Sequence, residues 1–207
     1  MVKKIIITGG LGYIGTELCK IYSGVSWHHK IIVIDNRFIS ERVNQIRNWN
    51  MEFIHGDILN KELVNKYFKD ADIVHHLAGI TDVPRTKSES NSEKDKKIIL
   101  VGEKGTNNIL EAISNECKII FPSTHVVYEG IDKVKNDIKE NEETKPVLSY
   151  SSSKAANEKQ LKKSGKNYVI LRLGSVYGYS TDTARIDIMP NLFSKISSEN
   201  GTIRLFA

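Results

Sequence analysis

The chain has 207 residues, 40% of them apolar and 27% charged, which suffices to bury the core of one domain, or of one domain and a fragment, and excludes a disordered chain. The net charge of +5 is spread through stretches such as KELVNKYFKD and NSEKDKK, where lysines alternate with acids and build no basic stripe, so nucleic acid is excluded as an expected partner. The longest apolar runs, KIIITG and KIIVID, are too short to cross a membrane, and MVKKIIITGG lacks the apolar core and cleavage site of an export signal, so a cytoplasmic protein is expected.

In chain order, short Ile- and Val-rich runs predict strands at KIIIT (4–8), KIIVID (30–35), MEFIH (51–55), DIVHHL (72–77), KIIFPS (118–123) and YVILRL (168–173). Helical spacing of apolar residues lies between them, in GYIGTELCKIYSG with Gly24 as its stop, in ILNKELVNKYFKD, and in the longer KKIILVGEKGTNNILEAISNE. Strand and helix alternating at this interval predict an α/β protein with a parallel sheet covered on both faces, its strands apolar throughout. The stretch from Tyr128 to Leu148 is polar and reads as a long loop leading into a helix near Tyr150. After Arg172 the pattern turns irregular, offering one helix (IMPNLFSKISS) and the start of a strand at TIRLF. Cys19 and Cys117 are far apart and without CxxC spacing, which suggests buried small residues, and His28, His29, His75 and His76 lack partners at ligand spacing, so no metal is expected.

The first strand runs into TGGLGYIG and then a helix. Gly10, Gly12 and Gly15 form G-x-G-x-x-G, and Gly9, Gly12 and Gly15 fit the looser G-x-x-G-x-x-G. Glycine is required where the backbone turns tightly, lets a pyrophosphate approach and packs helix on strand. The helix start at Tyr13, Ile14 and Gly15 then offers N–H groups to phosphates. Asp35 ends the second strand, where its carboxylate can bind both ribose hydroxyls, which favours NAD; Arg37, two residues on, keeps NADP as the lesser alternative.

TGGLGYIG, HLAG and the later Tyr-x-x-x-Lys resemble the extended short-chain dehydrogenase/reductase family, the NAD-dependent epimerases and dehydratases of nucleotide sugars, of the UDP-glucose 4-epimerase type. The resemblance implies a doubly wound Rossmann sheet over residues 1–174, with the beginning of a substrate-binding region at 175–207. It implies cofactor contacts for Asn36 beside Asp35, for Asp57 and Ile58 in the turn after the third strand, and for Leu77, Ala78 and Gly79 after the fourth. It further implies them for Ser123 in FPSTHVVYEG, for Tyr150 and Lys154, and for Val176 in LRLGSVYG. Thr124 falls on the family's catalytic Ser/Thr, and Pro84 and Arg85 stand where the sugar or diphosphate could lie. Gly102 replaces a usual Asn and Tyr179 a usual proline; members commonly continue well beyond this length, so the chain reads as truncated. Many relatives form dimers through the helices before the fifth strand and after Tyr150, which implies a possible homodimer.

A free tyrosine, with a pKa of about 10, is a poor base at neutral pH. Four residues apart on a helix, Tyr150 and Lys154 share a face, where the ammonium can stabilise the phenolate and reach the nicotinamide ribose; lowering the phenol by three units requires about 4 kcal/mol. The same YSSSK stretch also reads as a serine-capped helix start. Thr124 would hold the sugar oxygen in line. Glu158 reads as a helix-surface or packing carboxylate and Arg172 as support for the loop beyond it.

Dehydratases of the family carry an acid pair after this threonine. Here His125 and Val126 follow, and valine carries no proton, which disfavours dehydration. The expected activity is therefore nucleotide-sugar epimerisation by transient oxidation at a sugar hydroxyl, C4 in the family, with hydride passing to NAD. The alternatives are an NAD(P)-dependent reductase of a 4-keto nucleotide sugar and a non-catalytic dinucleotide-binding sensor or scaffold.

Overall fold

The computed structural model describes residues 1–81, 91–180 and 185–204. Pro84 and Arg85 lie outside the described residues, as do the last residues of TIRLF; Thr202, Ile203 and Arg204 form no strand.

Six strands form one parallel sheet: β1 (Lys4–Thr8), β2 (Lys30–Asp35), β3 (Glu52–His55), β4 (Ile73–His76), β5 (Lys118–Thr124) and β6 (Asn167–Leu173), in the order β3-β2-β1-β4-β5-β6. Alternate residues of β1 and β2 point to opposite faces, and both faces are apolar. Ile6, Ile32 and Ile34 pack under α3 (Lys61–Phe68), α4 (Ser92–Ala112) and α5 (Ser149–Lys163). Ile5, Ile7, Ile31 and Val33 pack under α1 (Tyr13–Ser23) and α2 (Ser40–Asn48). Burial on both faces is what continuous apolar strands demand. The doubly wound Rossmann architecture expected from the sequence is therefore the observed one.

Three details depart from the sequence reading. Helix α2 was not predicted, because SERVNQIRN buries only Val43 and Ile46 and has too few apolar residues to show a period. Among the described residues strand β6 has one neighbour, and it leaves Tyr168, Val169 and Leu171 more than a third exposed, unlike β1 and β2. The cap of α5 is not a serine at its first position: Leu148 precedes the helix, and its N–H is taken by the Glu129 carboxylate (2.7 Å) and by Ser151 Oγ (3.2 Å). Glu129 also accepts the Val147 N–H at 2.7 Å, so one carboxylate closes the long loop onto the helix it leads into.

The glycines of α4 are packing glycines. A Cβ on Gly102 would lie 2.1 Å from Ser153 Oγ on α5, and the Gly102 carbonyl accepts Asn157 Nδ2–H at 3.0 Å. The helix propensity lost at glycine is offset by close helix approach. Helix α6 (Met189–Ser198) follows the irregular stretch after β6, as its pattern predicts. Among the described residues no helix is long and apolar enough to cross a membrane. Cys19 and Cys117 are buried free thiols, and burial pushes them up to about 12 and about 11, which makes them inert.

Candidate active site

The strand order reverses between β1 and β4, and in such sheets ligands bind beyond the carboxyl ends of the strands at that point. The glycine loop follows β1 and the Leu77–Ala78–Gly79 turn follows β4, so both stand at the reversal.

The loop's geometry explains its composition. Gly9 has φ +67°, and a Cβ there would meet the Ala78 nitrogen at 2.8 Å. A Cβ on Gly15 would lie 2.3 Å from the Gly9 carbonyl oxygen, which is backbone and cannot step aside. Gly12, the N-cap of α1, has no side chain to satisfy the helix's first N–H groups, those of Tyr13 and Ile14. Thr16 Oγ1, one turn further on, is buried with no hydrogen-bond partner among the described residues. Open N–H groups, a lip without Cβ atoms and an unsatisfied buried hydroxyl fit a dinucleotide's pyrophosphate end.

Asp35 is 5% exposed at the end of β2. Its Oδ2 accepts the Leu11 N–H (2.9 Å) and its Oδ1 the Arg37 N–H (2.9 Å), with the Arg37 Nε 3.3 Å away. The carboxylate thus braces the glycine loop from below while Arg37 lies across it. Asn36 and Asp57 come together, Asn36 Nδ2–H donating to Asp57 Oδ2 at 3.1 Å. Ile58 lies in the core against α4, where Asn108 Nδ2–H reaches its carbonyl at 2.9 Å, so its N–H is the group left to face a ligand. Leu77 packs against the α1-side core, and a Cβ on Gly79 would meet nothing within 4 Å. The Tyr13 hydroxyl donates to the Gly178 carbonyl and ties the stretch containing the half-exposed Val176 to the start of α1.

Tyr150 and Lys154 lie one turn apart at the start of α5. Lys154 is half-buried against Phe121, its Nζ 4.5 Å from that ring and 5.9 Å from the Tyr150 ring centroid, and donates to the Pro122 carbonyl at 2.8 Å. This anchors α5 to β5 two residues before Thr124. Thr124 is buried, and its Oγ1 accepts the Val126 N–H at 3.3 Å, capping the short turn His125–Tyr128. Burial lowers Lys154 to about 8. Burial also raises the Tyr150 phenol above its ordinary value, and the charge that opposes this comes from Arg185, not from Lys154. With Lys154 Nζ bonded to a carbonyl, ionising the phenol at neutral pH would take a further positive charge.

Arg185 was not singled out from the sequence. It donates from Nη1 to Thr81 Oγ1 (3.1 Å) and from Nη2 to the Thr81 carbonyl (3.1 Å), and pairs with Asp187 at 3.0 Å, binding the segment before α6 to the loop after β4. An arginine in an aperiodic stretch gives no local signal of its target.

Glu158 is not a surface carboxylate: it is 2% exposed, one turn beyond Lys154. Arg172 grips it with two bonds, Nη2 to Oε2 at 2.6 Å and Nε to Oε1 at 2.9 Å, and the Ser123 hydroxyl donates to Oε1 at 2.6 Å. Arg172 Nη1 donates to the Tyr128 hydroxyl and to the Glu140 carbonyl (2.9 Å), so it supports the loop that precedes α5 and not the one that follows β6. Ser123 accordingly spends its hydroxyl inside the protein. Among the described residues no group of three or more His, Cys, Asp or Glu side chains could hold a metal ion.

Comparison with known proteins agrees with this geometry. The chain is 33% identical over 205 residues to CDP-paratose 2-epimerase of Salmonella typhi, covering 84% of this chain and 58% of that protein. It is 31% identical over 198 residues to dTDP-D-glucose 4,6-dehydratase of Dictyostelium discoideum, covering 86% and 44% respectively. The chain thus spans about half the length of the curated relatives it matches. Among solved structures it resembles UDP-glucuronic acid 4-epimerase from Bacillus cereus, in complex with NAD and UDP-4-deoxy-4-fluoro-glucuronic acid, with 26% identity and a TM-score of 0.80 over 99% of this chain and 66% of that one. The model of the NAD dependent epimerase/dehydratase family matches residues 5–206, and with the glycine loop, the strand order and the Tyr150–Lys154 pair already in place, the chain belongs to that family.

Proposed function

We propose that this chain binds NAD and belongs to a nucleotide-sugar epimerase that transiently oxidises a sugar hydroxyl, C4 in our reading, with Tyr150 as the base. The observation that carries the reading is the Tyr150–Lys154 pair, moored to β5 through the Pro122 carbonyl near Thr124, at the same carboxyl end of the parallel strands as the glycine loop. NAD, when bound, would supply a hydride acceptor and a positively charged ring.

The glycine loop and the first N–H groups of α1 would hold its pyrophosphate, and Asp35 its adenosine ribose, with Arg37 moving off the carboxylate. Lys154, released from Pro122, would reach the nicotinamide ribose and add its charge beside the phenol. Tyr150 would take the sugar hydroxyl proton as hydride leaves the same carbon, and Thr124 Oγ1 would hold the sugar oxygen. His125 and Val126 stand where dehydratases carry their acid pair, and Val126 brings no proton to the site, which favours epimerisation over elimination of water. NAD is preferred to NADP because a 2′-phosphate would meet the buried Asp35 carboxylate.

The test is to add UDP-, GDP- and dTDP-hexoses to the NAD-loaded protein. The expected result is a transient rise in the near-ultraviolet absorbance of reduced nicotinamide, together with formation of the epimer. Net consumption of reduced cofactor with a 4-keto sugar would replace this reading with the reductase; NAD binding with no response to any sugar would favour the sensor. Gly15→Ala is expected to weaken NAD binding at least about tenfold, equivalent to about 1.4 kcal/mol, in a fluorescence titration, since its Cβ would press on the Gly9 carbonyl.

A further inference from the structure

His76 is the most deeply buried imidazole of the chain's described residues, at 1% exposure, and no step proposed above uses it. It ends β4, immediately before the Leu77–Ala78–Gly79 turn. Its Nδ1 lies 3.1 Å from Thr8 Oγ1, and its Nε2 lies 2.9 Å from Thr106 Oγ1 on α4. Thr8 Oγ1 also accepts the Ala78 N–H at 3.0 Å.

These contacts point to one arrangement of protons. A backbone N–H can only donate, so Thr8 receives from Ala78 and has its own proton left to give. The described acceptor for that proton is His76 Nδ1, which places the ring's single proton on Nε2, facing Thr106. A second ring proton would take that acceptor away from the Thr8 hydroxyl. Burial, and then the nearby Lys154 charge, hold the imidazole down to about 3, in agreement with a neutral ring. The ring also leans on Phe121, 5.6 Å between centroids, and Phe121 is the floor on which Lys154 rests.

Thr8 is the last residue of β1, directly before Gly9, and Gly9 lacks the Cβ that would strike the Leu77–Ala78 peptide. The two loops at the strand-order reversal are therefore interlocked twice, by close backbone contact at Gly9 and by the directed chain Ala78–Thr8–His76–Thr106. We propose that His76 is a positioning residue for the dinucleotide: as a neutral imidazole held between Thr8 and Thr106, it fixes the β4 turn against the glycine loop, so that both walls of the cleft are preset before NAD enters. A wall held in place spares the ligand the ordering cost of closing it, and that saving appears as affinity. The inference rests on the reading that these loops flank NAD.

The experiment has three arms on the chain as it stands. First, wild-type protein is titrated with NAD; absence of binding would defeat the functional reading itself. Second, Thr8→Val and Thr8→Ser are titrated in parallel with their melting temperatures. We expect Thr8→Val to weaken NAD at least about tenfold and Thr8→Ser, which restores the hydroxyl, to return to within about threefold of wild type. Valine and serine variants that both bind like wild type would overturn the inference, even if the valine variant melts earlier, because stability alone would then account for the contact. Third, nitrogen NMR of the wild-type ring is expected to show a protonated Nε2 and an accepting Nδ1, unchanged across neutral pH. A protonated Nδ1 would overturn the inference whether or not the variants fold.

Discussion

Tyr150→Phe is expected to lower nucleotide-sugar turnover about 10²- to 10⁴-fold, the range for loss of a general base, while NAD affinity stays within about threefold. The substitution removes one hydroxyl and preserves the ring that Lys154 approaches. The lysine's own attachments, the Pro122 carbonyl and the Phe121 face, do not involve that hydroxyl, so the cofactor side of the site is left intact. The split between turnover and binding matters because a loss of both would indicate collapse of the helix start.

The pH profile carries further information. Lys154 keeps its ammonium below about 8, the value to which burial lowers it, and loses it above. In kcat/KM, which reports the free protein, an alkaline fall near that pH is expected in the wild type, and Lys154→Met should abolish the fall along with most of the rate. Retention of turnover in Tyr150→Phe to within tenfold of wild type would move the base elsewhere and end the epimerase mechanism as drawn.

The second large effect concerns stability. Glu158→Ala is expected to cost about 3–5 kcal/mol, because it strands the Arg172 guanidinium beside a hole where its carboxylate was. At roughly 2–4 °C per kcal/mol for a chain of this size, the melting temperature should fall by roughly 6–20 °C. The two residues touch, so the Glu158→Ala/Arg172→Met double variant should lose less than the sum of the single losses. Five parts of the structure meet at this pair: β5 through Ser123, α5 through Glu158, β6 through Arg172, and the turn and loop through Tyr128 and Glu140.

Acid should reach the same bond. Burial alone would raise the Glu158 carboxyl, but the Arg172 and Ser123 hydrogen bonds and the Arg172 charge outweigh it, leaving the group below its ordinary value. Its contribution is therefore complete above about pH 4.3, where an unfolded glutamate is ionised, and is lost as pH falls below that toward the folded value. Wild-type melting should become more acid-sensitive in that window than Glu158→Gln. A Glu158→Ala variant melting within 2 °C of wild type would show that the pair holds nothing together, since that is under the loss expected for about 1 kcal/mol.

Much of this protein is written locally. The strands Lys4–Thr8 and Lys30–Asp35 coincide with their apolar runs, because a strand buried on both faces needs no partner to reveal its composition. The glycine loop is legible for a similar reason: excluded Cβ positions, a strand before and a helix after are all consecutive in the chain. The same holds for Tyr150 and Lys154, which a single helical turn brings to one side. Helix α2 escaped notice because two buried residues make no period, and Asp35's second task, accepting the Leu11 N–H, depends on a loop twenty-four residues away.

The tertiary structure alone decided which charges are buried and what they face. Glu158, Ser123 and Arg172 lie on three separate elements, and His76 meets Thr8 and Thr106 across 68 and 30 residues. Sequence spacing carries side-chain neighbours only as far as one helical turn or one strand repeat. Beyond that, partnership is set by how the sheet orders its strands, and desolvation, which moved Lys154 down and the Tyr150 phenol up, exists only once those strands and helices have closed around a group.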